Sequence, residues 1–257
     1  MALEIAVLVS VGRHPATDRP RRAVNDSRAL ELALRLAESR GGRVHLIHAG
    51  DPHEPALRDY LGMGVAAMTV LEVAEGHDVV PALVEHLKQL KPQLVLTGLR
   101  AEHGVAGGLL PYVLAAGLEY PVAAGIVAVE LEGEGARLAQ ALPRGKRRAL
   151  GLPLPLVATV DQAGPTPRQS AYARGRRGRI QRVEAAPVPV AEAGWEERPA
   201  RKRPKRLKLL AGATAAERLN AAKSMQAGKG KLLVDPPPEE AAQAIYDYLV
   251  EEGILKL

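Results

Sequence analysis

Few side chains in this sequence are spaced to make or break bonds. The serines Ser10, Ser27, Ser39, Ser170 and Ser224 include no G-x-S-x-G elbow, and the seven histidines form no H-E-x-x-H set. His45 and His48 lie three apart in an apolar run, so as strand residues they point to opposite faces. With no cysteine there is no thiolate nucleophile, no disulfide and no Cys-ligated zinc or iron–sulfur site. What the spacing does support is binding. The segment from Gly98 to Leu110, GLRAEHGVAGGLL, places Gly98, Gly104, Gly107 and Gly108 ahead of a helical run. Backbone N–H groups at such a helix start can face a phosphate. Neither a Walker sequence nor a G-x-G-x-x-G fingerprint accompanies it, so an ordinary glycine-rich loop is the competing reading.

A second constellation suits docking. The apolar run Leu156 to Val160 ends in Asp161, passes a Gly-Pro turn and opens into an exposed loop. That loop holds Tyr172, followed by Arg174, Arg176, Arg177 and Arg179. One aromatic anchor beside a cluster of cations suits a surface that grips an acidic partner. The charge distribution agrees. Arg168 to Lys208 carries thirteen Lys/Arg against four Glu, a surplus of nine, so the rest of the chain sums to −3 of the net +6. Nucleic acid would call for arginines interleaved with aromatics on a known scaffold; only Tyr172 and Trp195 lie in the window, and no such motif is present.

These loops need elements to hold them. Ile5 to Val11 reads as a buried strand, and Asp26 or Ser27 can cap a helix from Arg28 to about Ser39. Val44 to His48 is a second strand, Pro55 to Leu61 a short helix, and Met68 to Val73 a third strand. Asp78 opens a helix with Val79, Leu83, Leu87 and Leu90 at helical spacing; Gln93 to Thr97 is a strand, and Leu109 to Ala116 a helix. Val122 to Leu131 and Ala136 to Leu142 form a hairpin about Glu132-Gly133-Glu134-Gly135, and Leu154 to Val160 is one more strand. The alternation predicts an α/β fold: an open, doubly wound, mainly parallel sheet with an added hairpin. Residues 1–183 make up this domain. Residues 184–257 read as an extended basic arm, punctuated by Pro187, Pro189, Pro199 and Pro204. It ends in a helix from Glu239 that buries Ala242, Ile245, Tyr246, Leu249 and Val250. Ligands of such sheets sit at the carboxyl ends of the strands, here in Ser10 to His14, Ala49 to Asp51 and Gly98 to Gly108. No run approaches eighteen apolar residues and no cleavable leader is evident, so the expectation is a cytoplasmic protein without membrane insertion.

Pieces along nearly the whole chain resemble the beta subunit of electron transfer flavoproteins. VLVSVGRH at 7–14 resembles that family's VPVKRV turn, and NDSRALELALRL at 25–36 its FDEIALEEALRL helix. LGMGVAAMTVLEV is similar to its AMGAD segment, PQLVLTGLRA at 92–101 to PDLVLLGKQA, and EYPVAAGIVAVE at 119–130 to GWPQATFAS. Val157-Ala158-Thr159, Asp161, Pro167-Arg168, Ala171 and the basic run match VVTADL and PRYATLPNIMKAKKK. The closing GKLLVDPPPEEAAQAIYDYLVEEGIL resembles the family's arm and helix.

The resemblance implies a flavodoxin-like, adenine nucleotide hydrolase-like sheet and an electron carrier with no catalytic constellation of its own. It implies an alpha subunit that holds most of the FAD, a flavin dehydrogenase as electron donor and a membrane quinone reductase as acceptor. The family's recognition loop falls on Arg168, Ala171, Tyr172, Arg174, Arg176 and Arg177, with Tyr172 at the anchor position where typical members carry Leu. That change points away from the usual acyl-CoA dehydrogenases, toward a dehydrogenase for methylated amines or another small metabolite. Arg13 falls near the flavin, where its charge would stabilise reduced, anionic flavin by Coulomb attraction; Thr17 stands where an aromatic is typical. The family's AMP pocket maps to Ser10, Asp26, Ala49, Gly50, Gly98, Arg100, Ala101, Gly107 and Gly108. Its acidic run and Thr-Gly phosphate cradle are replaced by EHGVAGGLL, which argues for weakened or lost AMP rather than for a second FAD. Two other classes are weighed against this reading: a universal-stress-type adenine-nucleotide-binding regulator, whose G-x2-G-x9-G-[ST] motif is absent, and a basic nucleic-acid binder.

Overall fold

The computed structural model describes residues 3–104, 106–190, 214–216, 219 and 233–251. In chain order the elements are β1 (Glu4–Leu8), β2 (Val11–Arg13), β3 (Pro20–Arg22), α1 (Val24–Arg40), β4 (Arg43–Gly50), α2 (Leu57–Leu61), β5 (Ala67–Glu72) and α3 (Val80–Leu90). There follow β6 (Leu94–Gly98), α4 (Leu110–Leu118), β7 (Val122–Glu132), β8 (Gly135–Ala141), β9 (Arg147–Pro153), β10 (Leu156–Val160), α5 (Tyr172–Arg177), β11 (Arg179–Glu184) and α6 (Pro238–Glu251).

Nine strands form one sheet in the order β11-β5-β4-β1-β6-β10-β7-β8-β9. Every neighbouring pair from β11 to β7 is parallel, and the β7–β8 and β8–β9 pairs are antiparallel. The expected doubly wound α/β sheet is what the chain builds. Alternate residues of the central strands serve opposite faces: Ile5 and Val7 pack with Leu30, Ala33 and Tyr60 on the α1/α2 side. Ala6 and Leu8 pack with Leu83, Leu87 and Leu114 on the α3/α4 side. Parallel strands covered on both faces need continuous apolar runs, which is why these segments read so clearly in the sequence.

Several local expectations need correcting. Helix α1 starts at Val24, after Ala23, with no side-chain cap of its own, so Asp26 and Ser27 lie inside its first turn. The cap comes from far away: Glu102 Oε1 accepts the Val24 N–H at 2.6 Å. The hairpin β2–β3, the strands β9 and β11 and the short helix α5 were not anticipated. β11 extends the sheet beside β5, so the segment after Ile180 remains part of the fold. The chain divides into two compact units, Met1–Gly194 and Trp195–Leu257. Of the second, α6 exposes Ala242, Ile245 and Tyr246, which were expected to be buried, while Leu249 and Val250 are half-buried. The basic stretch Arg198 to Lys208 lies outside the described residues. Among the described residues no helix is long and apolar enough to cross a membrane.

Candidate binding cavity and docking turn

The order of strands reverses at β1, with β4 on one side and β6 on the other. A crevice is expected outside the carboxyl ends of strands at such a switch point. A cavity of about 300 Å³ lies there. Its walls are largely apolar, from Leu8, Val9, Val79, Leu83, Leu109 and Leu110. Of the expected cofactor residues, Ser10, Asp26, Ala49, Gly98, Arg100, Ala101, Gly107 and Gly108 all line it. Gly50 does not, but it makes room behind the wall: a Cβ there would press on His48 Nε2 at 2.9 Å.

Asp26 is the clip that closes the switch point. Its Oδ2 accepts the Ser10 N–H at 2.7 Å and the Ser10 hydroxyl at 2.6 Å, and its Oδ1 accepts the Gly98 N–H at 3.1 Å. One carboxylate from α1 thus ties the ends of β1 and β6 together. Burial pushes the Asp26 carboxyl up to about 6, against the pull of the Ser10 and Gly98 hydrogen bonds. Gly98 has to be glycine because a Cβ would collide with Asp26 Oδ1. Tyr60, fully buried, donates its hydroxyl to Ser10 O at 2.8 Å and accepts the Ala23 N–H at 2.7 Å. His48 bonds Val9 O through Nδ1 at 2.8 Å, and burial holds its pKa below the ordinary value. The neutral ring therefore donates from Nδ1 and leaves Nε2 as an acceptor. Local pattern gave His48 and Glu102 no such role, and it did not single out Tyr60. The roles of Tyr60 and Glu102 arise from partners 37 and 78 residues away, which no local pattern reports.

Next to the cavity is an open basic shelf lined by Arg13, Arg21, Arg100 and Glu102. Arg13 donates to Asp18 O at 3.1 Å, and Arg21 pairs with Glu102 at 3.0 Å. Arg100 faces both spaces and is, among the described residues, the one Arg or Lys lining the cavity.

The second site is the turn from Pro167 to Gly178. Here the expected residues separate into anchors and free groups. Arg168 faces the fold: its Nε donates to Glu31 at 2.8 Å and its Nη1 to Glu38 at 2.7 Å, both on α1. Glu31 is almost fully buried. Burial raises its pKa, but the hydrogen bonds from Arg168 and Arg35 outweigh that and hold it below the usual range. Gly175 lets α5 press against α2, since a Cβ would meet Arg58 O at 2.5 Å. Arg58 in turn donates to the carbonyls of Gly175, Arg176 and Gly178 at the end of α5. With these contacts below, Tyr172 stands 78% exposed, with Ala171, Arg174, Arg176 and Arg177 exposed around it. The Arg176 guanidinium lies 6.0 Å from the Tyr172 ring centre, within cation–π range.

Comparison with known proteins agrees with this geometry. Residues 19–188 match the model of the electron transfer flavoprotein domain. The chain is also 48% identical to the electron transfer flavoprotein subunit beta of Chromohalobacter salexigens, over 99% of this chain and 97% of that relative. An α/β sheet with a cavity at its switch point, a raised basic turn and a near-full-length relative point the same way: the chain belongs to the electron transfer flavoprotein family, as a beta subunit.

Proposed function

We propose that this chain works as half of a heterodimer with an electron transfer flavoprotein alpha subunit that holds most of the FAD. The pair takes electrons from a flavin dehydrogenase and delivers them to a membrane quinone reductase, in the cytoplasm. FAD, when bound, supplies the electron-carrying chemistry, and the chain contributes no catalytic residue of its own. The residues present fit a flavin nearby: the shelf of Arg13, Arg21 and Arg100 offers positive charge to an anionic group.

The observation that carries the reading is the build of the docking turn. Arg168 and Arg58 are bound to the fold, and Tyr172 with Arg174, Arg176 and Arg177 is left outward. Such a turn suits a dehydrogenase with an apolar pocket in an acidic face, one acting on methylated amines or another small metabolite. The cavity fits the base and sugar of an adenine nucleotide through its apolar walls. Its phosphate meets a single cation, Arg100, so AMP binds weakly and is lost on dilution. The segment 184–257 forms the arm that docks on the alpha subunit, with Ile245, Tyr246 and Tyr248 of α6 as its exposed apolar residues.

The test is co-production with the alpha subunit followed by extraction of bound nucleotides. A yellow heterodimer holding FAD, absent when the chain is made alone, is the expected result. A flavin-free protein that retains ATP or AMP unaided would replace this reading with a nucleotide-binding regulator.

A further inference from the structure

The cavity at the switch point and the basic shelf beside it share a wall. Arg100, Ala101 and Ala106 line both spaces. The wall is built mostly from short side chains: Ala101 and Ala106 carry only a methyl group. Ala106 also takes a left-handed turn, φ 47°, between Gly104 at φ 74° and Gly108 at φ 70°. Arg100 is the one long side chain of the three, and it is exposed.

The two spaces differ in charge. Among the residues lining the cavity, Asp26 offsets Arg100, and the neutral His48 adds nothing. Among those lining the shelf, Arg13, Arg21 and Arg100 stand against Glu102, a surplus of two positive charges. Asp18 pairs with Arg13 from outside the shelf, but it is 84% exposed, so water screens it. The shelf arginines are also held in place. Arg21 donates Nη2 to Glu102 at 3.0 Å and Nε to Arg13 O at 3.2 Å, and Arg13 donates Nη1 to Asp18 O at 3.1 Å. Arg21 Nη1 and Arg13 Nη2 make no hydrogen bond among the described residues, so each guanidinium is fixed with donors to spare.

We propose that cavity and shelf are two halves of one site, and that its ligand is free adenosine diphosphate. The base and sugar lie in the cavity, the first phosphate meets Arg100, and the second crosses the low wall to Arg13 and Arg21. This rests on the reading of the cavity as an adenine-nucleotide site, and it explains the weakness of AMP there. A monophosphate stops at the wall, where the cavity lining carries no net charge. A second phosphate reaches the surplus, and guanidinium groups bind phosphate oxygens through charge-assisted, often bidentate bonds. Donors already held by Glu102, Asp18 and the Arg13 carbonyl lose little freedom on binding it. The same surplus faces the flavin nearby, so an occupied shelf holds less positive charge for the flavin.

The experiment is calorimetric titration of the dialysed complex with its alpha subunit, using adenosine, AMP, ADP, NAD and inorganic pyrophosphate. ADP should bind about tenfold more tightly than AMP, as for one added charged contact. In Arg21→Ala and in Arg13→Ala that preference should fall to about threefold or less, with adenosine binding unchanged. The unchanged adenosine affinity separates a lost phosphate contact from a lost fold, and Arg21→Lys should restore part of the preference. If AMP and ADP bind within about threefold of each other, the second phosphate has no site and the proposal is overturned, while the nucleotide reading stands. If adenosine, AMP and ADP all fail to bind, the reading falls and the proposal with it. NAD bound as tightly as ADP would give the site to a dinucleotide, and pyrophosphate bound as tightly as ADP would make the shelf an unselective anion site. Either result overturns free adenosine diphosphate as the ligand.

Discussion

The switch-point cavity and the Tyr172 turn are both held by polar side chains, and they use them in opposite ways. At the cavity the polar groups that line the space also make the internal bonds. Asp26, Ser10 and His48 are committed to one another and to backbone groups, while Arg100 makes no hydrogen bond or ion pair among the described residues. At the turn the work is divided. Arg168 and Arg58 hold the backbone from below, and their neighbours Arg174, Arg176, Arg177 and Tyr172 keep their side chains exposed. A cavity built this way tolerates little change because each residue has two duties. A turn built on separate anchors can alter its outward residues without losing its shape, which is how a recognition surface changes partner while the scaffold stays.

The comparison breaks most severely at Asp26. Asp26→Ala strands the half-buried Ser10 amide and the buried Gly98 amide, and urea unfolding should show a loss of about 3 kcal/mol. The pH dependence sharpens the point. Folding raises the Asp26 pKa from 3.8 to about 6, so the folded state holds this proton the more tightly. The contribution of the group is full below its unfolded pKa and is lost as pH climbs toward about 6, at most about 3 kcal/mol. In Asp26→Asn that decline between roughly pH 4 and pH 6 should vanish from a stability–pH series. Next in size is Arg168→Ala, which leaves the buried Glu31 with Arg35 alone. A loss of about 2 kcal/mol is expected in the same unfolding assay. The smallest effect on stability belongs to Tyr172→Ala, under about 0.5 kcal/mol because the side chain is exposed. Yet electron transfer from the native dehydrogenase should weaken about 30-fold, as for loss of an interface anchor. Unchanged transfer with the flavin complex intact would sink Tyr172 as the anchor and restrict the contrast to the scaffold.

Much of the scaffold was legible in the residues. Runs such as those from Ile5 and from Leu156 had to be buried on both faces, although the first strand stops at Leu8 and Val11 belongs to β2; the loops after β1, β4 and β6 line the cavity as expected. What was missed is non-local. Tyr172–Arg177, YARGRR, has neither apolar period nor cap, and it forms a helix because Arg58 supplies bonds to its final carbonyls. β9 is mostly exposed and opens on two arginines, so its pattern is weak, and only the register with β8 defines it. Asp26 was read as a helix cap because Asp early in a helix usually is one; here a second acid, Glu102, takes that duty and frees Asp26 for the cavity.

That exchange has a consequence for following the protein in solution. Glu102 belongs to the loop that leads to α4 and lies beside the cavity mouth, and its bond to Val24 N–H completes the first turn of α1. The Val24 amide is thus a natural reporter on that loop from outside it. Any guest that draws the loop inward or outward would register as a chemical-shift change at one helix-end resonance, on a residue that does not itself line the cavity.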